Sequence, residues 1–151
     1  MLLSVHAARK VVDLVRDHRR ELESGRQPGS FGRKMLRLRH ELWSTLSGTD
    51  IDLGTTIGER LQLPHPNGVV MHSKTVIGDD CMIMQQVTLG QLAEESAPTI
   101  GNRVYIGAGA KVLGPVTIGD GAAIGANAVV LTDVPAGATA VGVPAKIVKG
   151  K

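Results

Sequence analysis

A histidine held between two prolines is the residue of this sequence best suited to acid–base chemistry. His65 lies between Pro64 and Pro66, whose rings restrict the backbone and so suit a positioned base. Asp50 stands fifteen residues earlier and Asp52 thirteen. An imidazole oriented by a carboxylate can activate the hydroxyl of a substrate, like a catalytic triad without its own serine. A surface histidine at a turn fits the same spacing, so the pattern alone leaves both interpretations open.

A six-residue repeat surrounds these residues and predicts the scaffold that positions them. An aliphatic residue recurs at a spacing of six, and from Ile100 onward a small or β-branched residue follows four positions later. The aliphatic residues are Ile51, Ile57, Leu63, Ile77, Ile83, Leu89, Ile100, Ile106, Val112, Ile118, Ile124 and Val130. A period of six is typical of a parallel β-helix, in which three repeats form one coil. We therefore predict a mainly β solenoid of four to five coils.

Two interruptions of the repeat are candidate functional segments. The interval from Leu63 to Ile77 is two residues longer than two repeats, and it contains His65. The interval from Leu89 to Ile100 is five residues longer than one repeat. We expect residues 91–99 to leave the solenoid as a loop, and loops carried on rigid scaffolds are common binding sites.

The sequence before the repeats predicts two amphipathic helices, at residues 3–24 and 31–46. We therefore divide the chain into a helical segment (1–48), the β-helix with its loop (49–135) and a tail (136–151). The predicted apolar stripes are Leu3, Ala7, Val11, Leu14, Val15, His18 and Leu22 in the first helix, and Met35, Leu38, Leu42 and Leu46 in the second. Neither helix can bury its stripe alone. We expect the helices to pack on each other, on the first coils or on another subunit.

Composition excludes several classes of protein. The single cysteine, Cys81, permits no intrachain disulfide, and its position in the small inward slot predicts a buried thiol. The sequence shows no signal peptide and no apolar run of about 20 residues, so we expect a cytoplasmic protein that does not enter a membrane. Residues 1–49 are basic, but acids are interspersed and aromatics are few. We interpret them as solvated helix faces and expect no nucleic-acid binding.

Four motifs, in order and with matching gaps, resemble the serine acetyltransferase family of hexapeptide-repeat acyltransferases. They are Leu-Pro-His-Pro-Asn-Gly-Val-Val (63–70), Gln-Gln-Val-Thr-Leu-Gly (85–90), Ile-Gly-Ala-Gly-Ala-Lys-Val-Leu-Gly (106–114) and Ala-Val-Gly-Val-Pro-Ala-Lys-Ile-Val (140–148). The resemblance covers residues 49–149. It implies a left-handed parallel β-helix, acetyl-CoA as the donor and a homotrimer with active sites between neighbouring subunits. It leaves open whether trimers pair into hexamers.

The resemblance also implies roles for individual residues. It makes His65 the catalytic base and Asp50 the carboxylate that orients it. The expected CoA-binding residues are Gly90, Ala108, Ala126 and Lys146. The candidate substrate-binding residues are Pro64, Asn67 and Gln85. The implied mechanism is direct acetyl transfer without a metal, in which His65 removes the proton of the acceptor hydroxyl and then protonates the departing thiolate.

The departures from the family pattern concern the acceptor and one partner. Enzymes of the family that use serine typically have an aspartate where this chain has Pro64, and their loop carries an Arg-His pair that grips the carboxylate of the amino acid. The corresponding stretch of this chain, residues 94–98, has neither of these residues and instead contains the acids Glu94 and Glu95. We expect the acceptor to be L-serine or a similar small hydroxyl compound, with a sugar or another metabolite as the alternative. The sequence ends in Lys149-Gly150-Lys151, without the terminal isoleucine of larger family members. We accordingly expect no stable complex with the sulfhydrylase of cysteine synthesis.

Two remote alternatives share the predicted scaffold. Carbonic anhydrases of the γ type hold zinc with three histidines, but His65 and His72 are the only histidines of the repeat region. We expect His72 to be a turn residue. A scaffolding solenoid without catalytic activity is the other alternative, and replacement of His65 would leave its function unchanged.

Overall fold

The computed structural model describes residues 2–25, 29–92 and 97–148. Two helices come first, α1 (Leu2–Glu23) and α2 (Ser30–Ser47), and short strands follow. The strands are β1 (Asp50–Ile51), β2 (Thr56–Ile57), β3 (Val70–Met71), β4 (Val76–Ile77), β5 (Met82–Ile83), β6 (Thr88–Gly90), β7 (Thr99–Ile100), β8 (Tyr105–Ile106), β9 (Lys111–Leu113), β10 (Thr117–Ile118), β11 (Ala123–Ile124), β12 (Val129–Val130), β13 (Thr139–Val141) and β14 (Lys146–Val148). None of the helices in these ranges is long and apolar enough to cross a membrane.

The strands stack into three sheets that form the walls of a solenoid. Sheet 1 contains β1, β3, β6, β9 and β12; sheet 2 contains β2, β4, β7 and β10; sheet 3 contains β5, β8, β11, β13 and β14. Neighbouring strands are parallel, except that β14 folds back antiparallel on β13. The predicted parallel β-helix behind two helices is confirmed.

The aliphatic residues of the repeat form the core, as their spacing predicts. Ile106, Val112, Ile118 and Ile124 are fully buried and stack on equivalent residues of neighbouring coils. Cys81 is also fully buried, and its thiol donates a hydrogen bond to the Gly101 carbonyl at 3.1 Å. Burial raises the pKa of the Cys81 thiol, so the predicted core role of this cysteine is confirmed.

Helix α1 closes the N-terminal end of the solenoid. Val11 and Val15 are fully buried and belong to the same apolar cluster as Ile51, Ile57 and Leu63 of the first coil. The helix is also fixed by Arg16, whose guanidinium donates to the carbonyls of Ile57 and Gly58. The predicted stripe is wrong at its ends, since Leu3 is 63% and Leu22 is 46% exposed. Ala8 and Val12 are buried instead.

Helix α2 packs on α1 without burying its predicted stripe. Trp43 is partly buried against the core, and its ring makes a T-shaped contact with His6 at 6.2 Å between centroids. The His40 Nε2 atom lies 2.7 Å from the Ile51 carbonyl oxygen and ties the helix to β1. Met35, Leu38, Leu42 and Leu46 are at least 41% exposed. In the single chain these four side chains lie at the surface.

Both interruptions of the repeat lie at corners of the solenoid, where extra residues leave the strand register intact. The first, at residues 64–68, connects sheet 3 to sheet 1, and β1 still pairs with β3 as Asp50 with Val70. The second, at residues 91–98, connects sheet 1 to sheet 2. Residues 93–96, and with them Glu94 and Glu95, lie outside the described residues.

A ladder of polar side chains supports the corner between sheets 2 and 3. The backbone N–H groups of Glu59, Asp79 and Asn102 each donate to the side chain one coil further on. The acceptor oxygens belong to Asp79 (2.7 Å), Asn102 (2.8 Å) and Asp120 (2.8 Å). The Asn102 backbone N–H, and after it the Asn102 side-chain amide, hold the pKa of Asp120 below its ordinary value.

The ladder predicts an acid-sensitive contribution to stability. Because the lowered pKa favours the ionised carboxylate in the folded state, the contribution is present above the ordinary aspartate pKa of about 3.9 and is lost as the pH falls through the lowered value. We expect Asp120→Asn to lower the free energy of unfolding near neutral pH and to differ less from wild type at about pH 3. Urea unfolding at both pH values measures this, with the exposed Glu21→Gln as control. An equal difference at both pH values contradicts the prediction.

Close stacking at the same corner makes Gly119 sensitive to any side chain. A Cβ atom at Gly119 would meet the backbone nitrogen of Ala136 at 2.4 Å. We expect Gly119→Ser to lower the free energy of unfolding by about 1–3 kcal/mol, as overpacked sites do. Gly29→Ser is the matched control, because no atom lies within 4 Å of its Cβ position and serine is favoured at a helix N-cap. Equal stability of the two variants in chemical denaturation would refute the argument.

Candidate active site

One corner of the solenoid carries most of the predicted site residues. We call it the base corner, defined by residues 48–49, 64–69, 84–87, 107–110 and 125–128, which precede the successive strands of sheet 1. Backbone hydrogen bonds join its levels: Gly68 N to Gly48 O (2.7 Å), Gln86 N to Asn67 O (3.0 Å), Gly109 N to Gln85 O (2.9 Å) and Asn127 N to Ala108 O (2.8 Å). Asn67, Gln85, Ala108 and Ala126 therefore lie in one column along the solenoid axis, and His65 lies two residues before Asn67 in the same corner segment.

His65 and Asp50 lie at the N-terminal end of the base corner. Both residues are exposed, and the Asp50 N–H donates to Val69 O at 2.8 Å, which fixes β1 beside the corner. The Asp52 carboxylate instead accepts the Gly54 N–H at 2.7 Å within a turn. Of the two predicted carboxylates, the Asp50 side chain is thus the one that accepts no hydrogen bond from a described residue. The His65–Asp50 contact itself stays a prediction.

Polar side chains occupy the next two levels of the base corner. The Asn67 side chain lies over Gly48, where a Cβ atom would come within 3.0 Å of Asn67 Nδ2. The Gln85 Oε1 atom is buried and has no hydrogen-bond partner among the described residues. Lys111 donates from Nζ to the Gln86 carbonyl at 2.5 Å, a contact that the sequence analysis missed because lysine is common on any solvated strand.

The lower levels of the base corner are lined by small residues. Ala108 is half-buried and Ala126 is exposed. A Cβ atom at Gly107 would come within 2.7 Å of the Ala126 nitrogen, so this stacking requires glycine. The column continues into the tail, where Val129 N donates to Gly142 O at 3.0 Å. Lys146 is exposed in β14 directly after this segment, so a cation lies at the C-terminal end of a strip with little side-chain bulk.

Gly90 is the predicted site residue that one chain does not bring to the base corner. It closes β6 at the opposite edge of sheet 1, where its carbonyl accepts the Gly114 N–H at 2.9 Å. His72 lies at the same edge, and its Nδ1 atom accepts the Lys74 N–H at 3.2 Å, so the predicted turn role of His72 is confirmed. Within the described ranges, no three His, Cys, Asp or Glu side chains are grouped as metal ligands would be.

A cavity of about 580 Å³ lies between α1 and the first coil. Its helical wall includes His6, Arg9 and Asp13, and its coil wall includes Leu63 and Pro64. Because Pro64 directly precedes His65, the cavity opens next to the N-terminal end of the base corner. The sequence analysis missed Arg9 and Asp13. Their spacing places them on one face of α1, but only the docking of the helix shows what that face meets.

Comparison with known proteins supports this description. Residues 97–132 match the model of the family described as bacterial transferase hexapeptide (six repeats). A serine acetyltransferase of Helicobacter pylori strain J99 is 48% identical over 115 residues, which cover 74% of this chain and 67% of that protein. The chain belongs to the serine acetyltransferase family. A serine acetyltransferase of Mycobacterium tuberculosis is 45% identical over 119 residues.

Solved structures of the family share the fold. The serine acetyltransferase of Brucella abortus strain S19, in complex with coenzyme A, superposes with a TM-score of 0.84 at 30% identity and covers all of this chain and 58% of its own. Soybean serine acetyltransferase complexed with serine gives a TM-score of 0.79 at 35% identity, covering 91% of this chain and 56% of its own. The present chain spans about half the length of several curated relatives, with 47% and 52% of two of them covered.

Proposed function

We propose that this chain is an acetyl-CoA-dependent O-acetyltransferase that acts on L-serine or a similar small hydroxyl compound. The observation that carries the proposal is the base corner, which combines an exposed histidine with a strip of small residues and lies beside the exposed carboxylate of Asp50 in β1. The proposal is also supported by the family to which the chain belongs. Two structural relatives were solved in complex with coenzyme A and with serine.

The proposed chemistry needs one base and one leaving-group acid, and His65 supplies both. Neutral imidazole takes the proton of the acceptor hydroxyl while the oxygen attacks the thioester carbonyl. The tetrahedral intermediate then collapses, the carbon–sulfur bond breaks, and the imidazolium returns the proton to the thiolate. Asp50 orients the ring and stabilises its positive charge, the role of the carboxylate in a triad. The products are the acetyl ester and free CoA.

The donor lies along the lower part of the base corner. A pantetheine arm is long and narrow, so it fits a groove in which Ala108 and Ala126 add little bulk. Lys146 stands at the C-terminal end of that groove, where a cation attracts the phosphates of CoA. This arrangement places the thioester at the His65 end and the nucleotide at the Lys146 end.

Gly90 gives a reason for assembly into a homotrimer. It lies at the opposite edge of sheet 1 from Ala108 and Ala126, so one groove lined by all three residues requires two copies of the chain. A closed ring of three copies would form three such grooves with one repeated contact. Each active site would then combine the base corner of one subunit with the Gly90 edge of its neighbour.

A sugar or another metabolite is the alternative acceptor, and Pro64 is the observation that favours it. At this position the family members that use serine have a carboxylate, and here there is a ring without charge or hydrogen-bonding groups. Release of CoA from acetyl-CoA in the presence of L-serine, L-homoserine or a panel of sugars distinguishes the two. A protein that releases CoA with none of them would be a scaffold.

Removal of the proposed base should nearly abolish acetyl transfer. We expect His65→Ala to lower kcat by about 10²- to 10⁴-fold, the usual contribution of a general base. His72→Ala is the matched control, because that ring caps a turn at the other edge of sheet 1. Steady-state CoA release measures both variants. Similar rates for His65→Ala and wild type would contradict the proposed role.

A bulky side chain in the proposed CoA groove should weaken donor binding. We expect Ala108→Leu to raise the KM for acetyl-CoA at least about 10-fold, since leucine adds three carbon atoms to a groove that must admit the pantetheine arm. Ala136→Leu is the control, as Ala136 is exposed at the corner between sheets 2 and 3. If both variants show the wild-type KM, the donor does not lie along the base corner.

A further inference from the structure

We propose that Arg9 and Asp13 of α1 bind the carboxylate and the ammonium group of an amino-acid acceptor. The inference rests on the proposed function, and it selects an amino acid over a neutral sugar. It starts from the cavity between α1 and the first coil, whose volume of about 580 Å³ is ordinary for a small-molecule site. The cavity reaches Pro64, the neighbour of His65.

Two of the four charged side chains that line this cavity, Arg16 and Arg60, already have partners. The Arg16 guanidinium donates to the carbonyls of Ile57 and Gly58. The Arg60 guanidinium makes two hydrogen bonds to the Asp80 carboxylate, at 2.5 and 2.7 Å. Neither arginine can serve a ligand without giving up these bonds.

Arg9 and Asp13 differ from their neighbours in this respect. They lie one helical turn apart and line the same cavity, and Asp13 also lines a second, smaller cavity. Neither has a salt bridge or a side-chain hydrogen bond to any described residue, including the other. The cavity therefore presents one free cation and one free anion, counted over the described part of its wall.

A cation and an anion one turn apart match the two charges of an amino acid. Residues four apart on a helix lie about 5–6 Å from each other at Cβ, so their side chains can converge on groups attached to one carbon atom. Guanidinium binds a carboxylate with two parallel hydrogen bonds, and a carboxylate accepts from an ammonium group. Leu63 and Val12 offer apolar contact for the carbon atoms, and Pro64 marks the side on which the hydroxyl would meet His65.

In this proposal Arg9 binds the carboxylate of the acceptor, a role for which the loop at residues 91–99 has no arginine or histidine. Arg9 stands on a helix that is fixed to the first coil by the buried Val11 and Val15. The acceptor would thus be held from the N-terminal side of the solenoid, while the donor lies along the base corner toward the C-terminal side. The hydroxyl and the thioester would meet at His65.

The test combines two substitutions with acceptors that lack one charged group. We expect Arg9→Gln to lower kcat/KM for L-serine by about 10- to 100-fold, the usual effect of losing a hydrogen bond to a charged group. The kcat/KM for L-serinamide, which has no carboxylate, should stay the same. We expect Asp13→Asn to lower kcat/KM for L-serine by the same factor and to leave kcat/KM for glycerate unchanged, because glycerate has no ammonium group. The KM for acetyl-CoA should not change.

Arg37→Gln on α2 and Glu21→Gln on α1 are the matched controls, since both residues are exposed outside this cavity. The proposal is overturned if Arg9→Gln affects L-serine no more than Arg37→Gln, or affects L-serinamide equally. Calorimetric titration with L-serine, without acetyl-CoA, tests the amino-acid site independently of the proposed acetyltransferase activity. If L-serine binds in a way that depends on Arg9 but no assay shows CoA release, the proposed acetyltransferase activity alone is refuted. CoA release with a sugar, together with no binding of L-serine, would refute the amino-acid site alone.

Discussion

The backbone hydrogen bonds between successive coils are the constraint on which the rest of the molecule depends. Parallel strands in register hold neighbouring coils about 4.8 Å apart, and each corner must repeat at the same spacing. Little space remains at the closest contacts, so glycine is required where a Cβ atom at Gly107 or Gly119 would strike the next coil. The same spacing turns residues of distant sequence, such as Asn67 and Gln85, into neighbours in a column.

A strict repeat can only produce uniform grooves. The features specific to this chain, such as the corner that carries His65, come from the two interruptions of the repeat. The strands keep their pairing across both interruptions, because the added residues lie at corners and not within strands. The corner at residues 64–68 can therefore carry a constrained histidine without disturbing the core around Leu63 and Val69, both of which are buried. Catalytic geometry in this fold is set by insertions into a scaffold that remains regular.

The sequence predicted the repeating part of the structure well, for a physical reason. Each inward position has the same environment, so Ile106, Val112 and Ile118 carry the same signal and reinforce one another. The position of Gly90 relative to Ala108 was not predictable in the same way. It depends on which corner receives each residue, and the repeat looks alike at all three corners, so it does not show which corner forms the site.

The helices were predicted less well, because their environment is not repeated. Helix periodicity identified α1 and α2, yet it placed Leu3 and Leu22 on the buried face, and both are exposed. The buried residues of α1 all belong to its middle turns, between Ala7 and Val15. Arg9 and Asp13 could not be assigned a role from the sequence, since charged residues of an amphipathic helix ordinarily face solvent.

The two faces of α1 differ in what a substitution would disturb. Val11 and Val15 are fully buried and join the helix to the solenoid core, so changes there affect folding. Arg9 and Asp13 are exposed and bond to no described residue, so changes there leave the core intact. A scaffold of this kind can alter the groups that meet the acceptor while it keeps the coils that would hold the donor. In the proposed enzyme, acceptor choice is therefore separable from fold stability, because the two properties depend on different side chains of one helix.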